Sequence, residues 1–168
     1  VLEISDIQRR EIAFAYQGDG GIKGRAKYFA TTEALVEELL AKPTIDAVYA
    51  STTYFLDPQV RTPSKRGFLG HDLVFDIDLV YWDKKKQDYL FPNRVEWMHD
   101  VCYRTSVLID VLVNELGFKK EDMKLSFSGS KGFHILIDDP KYVSLSTDAR
   151  TELCNYITGT KVIRSNIT

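Results

Sequence analysis

The sequence predicts a mixed fold of helices and strands, α/β or α+β, with a partly antiparallel sheet flanked by helices. Strand-like runs alternate along the chain with stretches of helical periodicity. Glycine and proline fall between these segments rather than inside them. Two strand-like runs, LSF at 125–127 and FHILI at 133–137, are parted only by a glycine-bearing loop, which is the pattern of a hairpin.

The segment 12–16, IAFAY, reads as a strand, and the glycines at 18, 20, 21 and 24 turn the chain back into a second strand at 25–29. Thr31 or Thr32 caps a helix running through Leu40, with Leu35, Val36, Leu39 and Leu40 on one face and Pro43 as its stop. Residues 47–50, AVYA, form another strand, and 51–70 reads as a loop rich in proline, serine and arginine. The apolar run LVF at 73–75 has the look of a strand covered on both faces. Residues 94–116 make a long amphipathic helix on Val101, Val107, Leu108, Leu112 and Leu116, ended by Gly117. After the hairpin, Ser146 or Thr147 caps a last helix through Ile157, closed by Gly159. There is no internal repeat and no low-complexity segment.

At 168 residues the chain has room for one domain with a substantial core, so 1–168 is expected to be a single domain. A formal net charge of -2 excludes a global basic field, so any nucleic-acid contact has to come from a local patch. Basic residues cluster at Lys23, Arg25 and Lys27, at Arg61, Lys65 and Arg66, and at Lys84, Lys85 and Lys86, each read as a solvated loop. Cys102 and Cys154 are too far apart for a zinc-ribbon pattern and read as buried thiols on helices, suited to a reducing interior. No apolar run reaches transmembrane length, so no membrane partner is expected.

Two segments carry chemistry. In DLVFDID at 72–78, Asp76 and Asp78 are two apart on a strand and leave the same face, with Ile77 pointing into the core. Two carboxylates so placed suit one or two hard cations, Mg²⁺ or Mn²⁺, with positions left open for phosphate. In SGSKGFH at 128–134, Gly129 and Gly132 permit close backbone approach to an anion. Ser128, Ser130 and His134 add donors there, and Lys131 adds a point charge. The spacing is not that of a Walker loop. A third cluster, Arg10 and Glu11 with Arg25, offers an acid and an arginine that either pair or line one cleft.

In the order REIAFAYQGDG, Arg25, AVYAST, DLVFDID and LSFSGSKGFHILIDD, these strings resemble the catalytic small subunit of archaeal and eukaryotic DNA primases, nearer the archaeal form, from about residue 10 to 159. The resemblance implies the primase catalytic fold and a DNA-directed nucleotidyltransferase that makes primers on single-stranded DNA by a two-metal mechanism. It implies that Asp76 and Asp78 bind the catalytic Mg²⁺ or Mn²⁺. Ser128, Gly129, Ser130, Lys131, Gly132 and His134 would hold the nucleoside triphosphate, and Glu11 and Arg25 would belong to the active-site region. A primase large subunit is the implied partner. The implied location is intracellular: cytoplasmic in an archaeal-type cell, nuclear in a eukaryotic one.

Three departures qualify the match. Ser130 stands where family members commonly have arginine. Residues 79–93 contain no cysteine, so no zinc is expected. The family's third metal-binding aspartate has no counterpart in residues 160–168, and the chain is expected to be part of a larger catalytic subunit. Two other readings stay open: a different D-x-D nucleotidyl or sugar-nucleotide transferase, and a catalytically incomplete single-strand-binding module.

Overall fold

The computed structural model describes residues 4–79, 81–83, 88–90, 94–128 and 131–160. The chain divides into two compact units, Val1–His71 and Asp72–Thr168. Every described strand pairing is antiparallel, so the fold is α+β, and the sheets are antiparallel throughout rather than in part.

The first unit is a four-stranded sheet in the order β2-β1-β3-β4. Its strands are β1 (Arg10–Tyr16), β2 (Ile22–Lys27), β3 (Ile45–Phe55) and β4 (Phe68–His71), and helix α1 (Thr32–Ala41) lies between β2 and β3 in sequence. Thr31 caps α1, its hydroxyl oxygen accepting the Ala34 N–H at 3.2 Å. Ile12 and Phe14 of β1 are fully buried and pack in one cluster with Ile7 and Leu35. Leu39 joins that cluster, but Leu40 is 80% exposed, because one more residue rotates it off the packed stripe. The strand expected at 47–50 runs on to Phe55, and β4 falls inside the expected 51–70 loop. The reason is visible in STTYF at 51–55, whose threonines and aromatics suit a strand that pairs on both sides.

The second unit holds a three-stranded sheet in the order β5-β9-β8. Its strands are β5 (Leu73–Asp78), β8 (Met123–Phe127) and β9 (Gly132–Ile137). A short hairpin, β6 (Tyr81–Asp83) with β7 (Asp88–Leu90), precedes helix α2 (Arg94–Asp110), and helix α3 (Thr147–Thr158) follows the sheet. The Lys84–Lys86 cluster lies outside the described residues. Helix α2 ends in a π-helical turn, Val111–Glu115, where the Leu116 N–H reaches Val111 O at 3.1 Å, before Gly117 takes a left-handed φ of 71°.

One face of the sheet is apolar. Leu73, Ile135 and Ile137 are buried with Leu112 and Phe118, and Phe75, Ile77, Met123 and Leu153 pack around them. Of the LVF run only Leu73 is buried; Val74 and Phe75 are partly exposed. On α2, Val101 is buried as expected, whereas Val107 is 44% exposed. Cys102 and Cys154 sit on α2 and α3 as expected but are exposed, not buried. On α2 the buried positions are Trp97, Val101 and Thr105, four residues apart, and Cys102 is turned off that stripe.

Candidate nucleotide and metal site

The register of the second sheet builds the site. Across β5, β9 and β8, Asp76 stands opposite His134, which stands opposite Ser126; one step along, Asp78 stands opposite Gly132. Residues in register share a face, and alternation puts Ile77, Phe133 and Phe127 on the other one. Asp76, Asp78 and His134 are therefore on one face, and Ile77 packs into the core as expected.

Each carboxylate meets a basic group. Lys131 Nζ is 2.9 Å from Asp78 Oδ2, and His134 Nε2 is 3.4 Å from Asp76 Oδ1. The Asp76 side chain is 62% exposed, so its charge is largely hydrated. Gly132 makes room for its cross-strand partner: a Cβ there would overlap the Ile77 carbonyl oxygen and come 2.7 Å from Asp78 Oδ1. Only glycine lets the Asp78 carboxylate lie against β9 in this way.

Ser128 shapes the loop from inside. Its hydroxyl oxygen accepts the N–H of Gly132 at 2.9 Å and of Lys131 at 3.3 Å, while its own N–H donates to Gly132 O at 2.9 Å. This is the local side-chain-to-backbone bonding that serine offers at turns. It uses two backbone amides that the sequence alone would have left to face an anion. Gly129 and Ser130 lie outside the described residues.

The end of β5 is tied down by α2. The Trp97 indole N–H donates to Leu79 O at 3.1 Å, and Trp97 packs with Leu79 and Val101 beside Ile77 and Phe133. The Leu79 N–H in turn donates to Lys131 O at 3.2 Å. At the other end, the Arg150 guanidinium of α3 donates to Asp72 O at 2.9 Å and to Leu145 O and Tyr142 O. Sequence reasoning found the acids but not these two anchors, because a tryptophan and an arginine on helical stripes carry no local sign of which carbonyl they reach.

In the first unit, Glu11 pairs with Arg66 and not with Arg25. Arg66 Nη1 donates to Glu11 Oε2 at 2.7 Å and Nη2 to Oε1 at 3.2 Å, with the side chains only 6% and 11% exposed. Arg66, expected on a solvated loop, is thus buried; its Nε also donates to Val60 O at 2.6 Å, and it lies over the Phe55 ring. The need of an inward-facing glutamate for a bidentate partner is the one signal that could have singled it out. A bulge between β1 and β2 gives Ala26 a positive φ of 55°, and the Ala26 N–H reaches Glu11 Oε1 at 3.0 Å. Burial alone would raise the Glu11 pKa. The hydrogen bonds from Arg66 and Ala26 and the charges of Arg66 and Arg25 outweigh it and hold the carboxyl below its ordinary 4.5. Arg10 is also buried, donating to Ser5 O and Ser51 O and stacking on Tyr54, a role in holding the sheet together.

The donor set on β5 can be tested against a metal. Among the described residues no three acid, histidine or cysteine side chains gather closely enough to hold an ion by themselves. Two same-face carboxylates are nevertheless what Mg²⁺ asks of a protein when phosphates and water complete its shell. Both are hard oxygen donors, and both face exchangeable basic groups rather than the core. The residues present fit such an ion as a partial shell.

An α+β chain whose antiparallel sheet sets paired carboxylates against a lysine and a histidine offers hard oxygen donors and anion donors side by side. Comparison with known proteins narrows this. Residues 75–164, slightly more than half of the chain, match the family described as DNA primase small subunit. Among similar proteins, each described as DNA primase small subunit PriS, one from Pyrobaculum islandicum is 34% identical, over 92% of this chain and 48% of its own length. One from Pyrobaculum calidifontis is 36% identical over 93% of this chain and 48% of its own, and one from Methanothrix thermoacetophila is 30% identical over 91% and 38%. The chain belongs to the DNA primase small subunit family. It spans about half the length of the Pyrobaculum relatives it matches. No described helix is long and apolar enough to cross a membrane.

Proposed function

We propose that this chain carries the nucleotidyl-transfer site of a DNA primase, making primers from nucleoside triphosphates on a single-stranded DNA template. The observation that carries the reading is the register of β5 on β9, which brings Asp76 and Asp78 against His134 and Lys131 on one face of the sheet. On this reading residues 1–168 belong to one catalytic domain, which works inside the cell, cytoplasmic in an archaeal-type one, with a primase large subunit as partner.

Asp76 and Asp78 would hold the divalent cation, Mg²⁺ or Mn²⁺. When bound, that ion stabilises charge on the transferring phosphate and favours the attacking hydroxyl as its alkoxide. Lys131 and His134 would exchange their acids for the triphosphate oxygens, since an ammonium and an imidazole N–H serve phosphate as well as carboxylate. Ser128 would keep the loop in the shape that presents them. Ser130 and Gly129 take their place in this set, and Glu11 and Arg25 theirs in the active-site region, on the family resemblance alone. A clustered pair of acids facing phosphate would repel nucleic acid unless metal neutralised them, which weighs against a pure strand-binding module.

Templated synthesis tests the proposal. Incubated with single-stranded DNA, labelled nucleoside triphosphates and Mn²⁺, the chain is expected to make short products complementary to the template, and Asp76→Asn to make none. His134→Ala is expected to weaken triphosphate binding more than template binding. Synthesis undiminished in Asp76→Asn, or tighter binding of a nucleotide-diphosphate sugar than of ATP, would defeat the reading.

A further inference from the structure

Helix α2 carries two stripes, and the core uses one. Trp97, Val101 and Thr105 are the buried set. Tyr103, Val107 and Val111 form a second row at helical spacing, and Tyr103 and Val107 stay exposed. This row is one wall of an open groove of about 480 Å³ whose other wall is the end of α3, at Ile157 and Thr158. Leu108 and Ile157 line the groove and also pack against the buried core cluster, so the groove opens directly onto the core. The Tyr156 hydroxyl donates to Glu115 Oε2 at 2.7 Å, which ties the end of α3 to the π-helical turn that Val111 begins. A concave apolar surface beside a core, on helices tied to each other, is surface built to be covered.

The chain itself leaves α3 at the rim of this groove. Gly159 takes a left-handed φ of 66°. The Thr160 hydroxyl donates to Asn155 Oδ1 at 3.1 Å and shares a 2.7 Å bond with the Thr158 hydroxyl. The first residue past that glycine is thus turned back along the helix. Next in sequence comes Lys161-Val-Ile-Arg164, an apolar pair bracketed by cations, and the family match runs past the end of α3 through this stretch to residue 164. From Thr158 to Val162 an extended chain reaches up to about 14 Å. Tyr103 to Val111 covers about 12 Å of helix. Val162 and Ile163 are therefore within reach of the whole groove.

We propose that the groove between α2 and α3 is the seat of this chain's own segment 161–164, with Val162 and Ile163 filling it beside Val107. The tether at the rim raises the segment's local concentration above that of a free partner. Two aliphatic side chains moved from water onto apolar surface supply the drive. Lys161 and Arg164 keep their charged ends in water at the margins. Because Arg150 of α3 holds the Asp72 carbonyl at the start of β5, fixing α3 against α2 also steadies the strand that carries Asp76 and Asp78.

The test is a disulfide scan in a Cys102→Ser, Cys154→Ser background. Val107→Cys is combined in turn with Lys161→Cys, Val162→Cys, Ile163→Cys and Arg164→Cys, and each chain is oxidised with copper phenanthroline in dilute solution. A cross-link needs Cβ atoms within about 4.5 Å, so it reports contact. Monomeric cross-links strongest at 162 or 163 are expected, with little between Ile163→Cys and the native Cys102, which is exposed on α2 but does not line the groove. A double-mutant cycle of Val107→Ala and Ile163→Ala, read by denaturant unfolding, measures the same contact without new thiols. A coupling of about fivefold in the folding equilibrium is expected. Disulfide-linked dimers in place of monomeric cross-links would give the groove to a second copy and overturn the proposal. No cross-link at any position, together with additive effects in the cycle, overturns it as well and leaves the groove to a separate partner.

Discussion

Glu11 and Arg66 show how much one pair can hold in place. A carboxylate and a guanidinium both nearly shielded from water make two parallel bonds, and removing one partner strands the other. Arg66→Ala is expected to destabilise the chain by about 3 kcal/mol in denaturant unfolding. Because the folded Glu11 pKa lies below 4.5, its contribution is complete above that pH and is lost as pH falls through the folded value. Melting temperature should therefore drop with acid below about pH 4.5 more steeply in the parent chain than in Glu11→Gln. Gly132 is a second pivotal residue. Gly132→Ala forces the Cβ into the Ile77 carbonyl, so β5 and β9 must separate, at a cost of about 3 kcal/mol by denaturant unfolding. Neither effect was legible locally. The sequence marks Gly132 as part of a glycine loop, but the need for it comes from a strand more than fifty residues away.

At the scale of elements, the capped helices and the hairpin were readable because their signals are local. Ser146 caps α3 through the Ala149 N–H, and Gly159 ends it in a left-handed turn, as the residue types require. Asp76 and Asp78 on one face of β5 follow from period two alone. What the sequence did not show is which elements meet. Strand β4 was hidden in a segment dense with loop-forming residues, and the buried role of Arg66 depends on where that segment packs. The contact of Trp97 with the end of β5 belongs to the same class. Trp97→Phe keeps an aromatic ring in the cluster but leaves the Leu79 carbonyl without its donor, at a cost of about 1–2 kcal/mol. Nucleotide affinity should fall with it if β5 is held in position through this bond, which a paired unfolding and binding measurement reads.

For the whole molecule, the site lies at the junction of three strands drawn from the start and the middle of the second unit, supported on its far face by an apolar cluster. That arrangement makes the acids removable without loss of the core, since Asp76 is mostly exposed and Asp78 projects from the polar face. The family match over residues 75–164 covers this same structure. On the proposed function, Asp76 and Asp78 bind metal so that the loop between β8 and β9 can bind triphosphate. The decisive measurement is calorimetric titration of the chain with ATP, with and without Mn²⁺, beside the Asp76→Asn, Asp78→Asn double variant. Binding is expected to require Mn²⁺ in the parent chain and to vanish in the variant while its melting curve is kept. Equal binding with and without the metal, or binding retained by the variant, would contradict it.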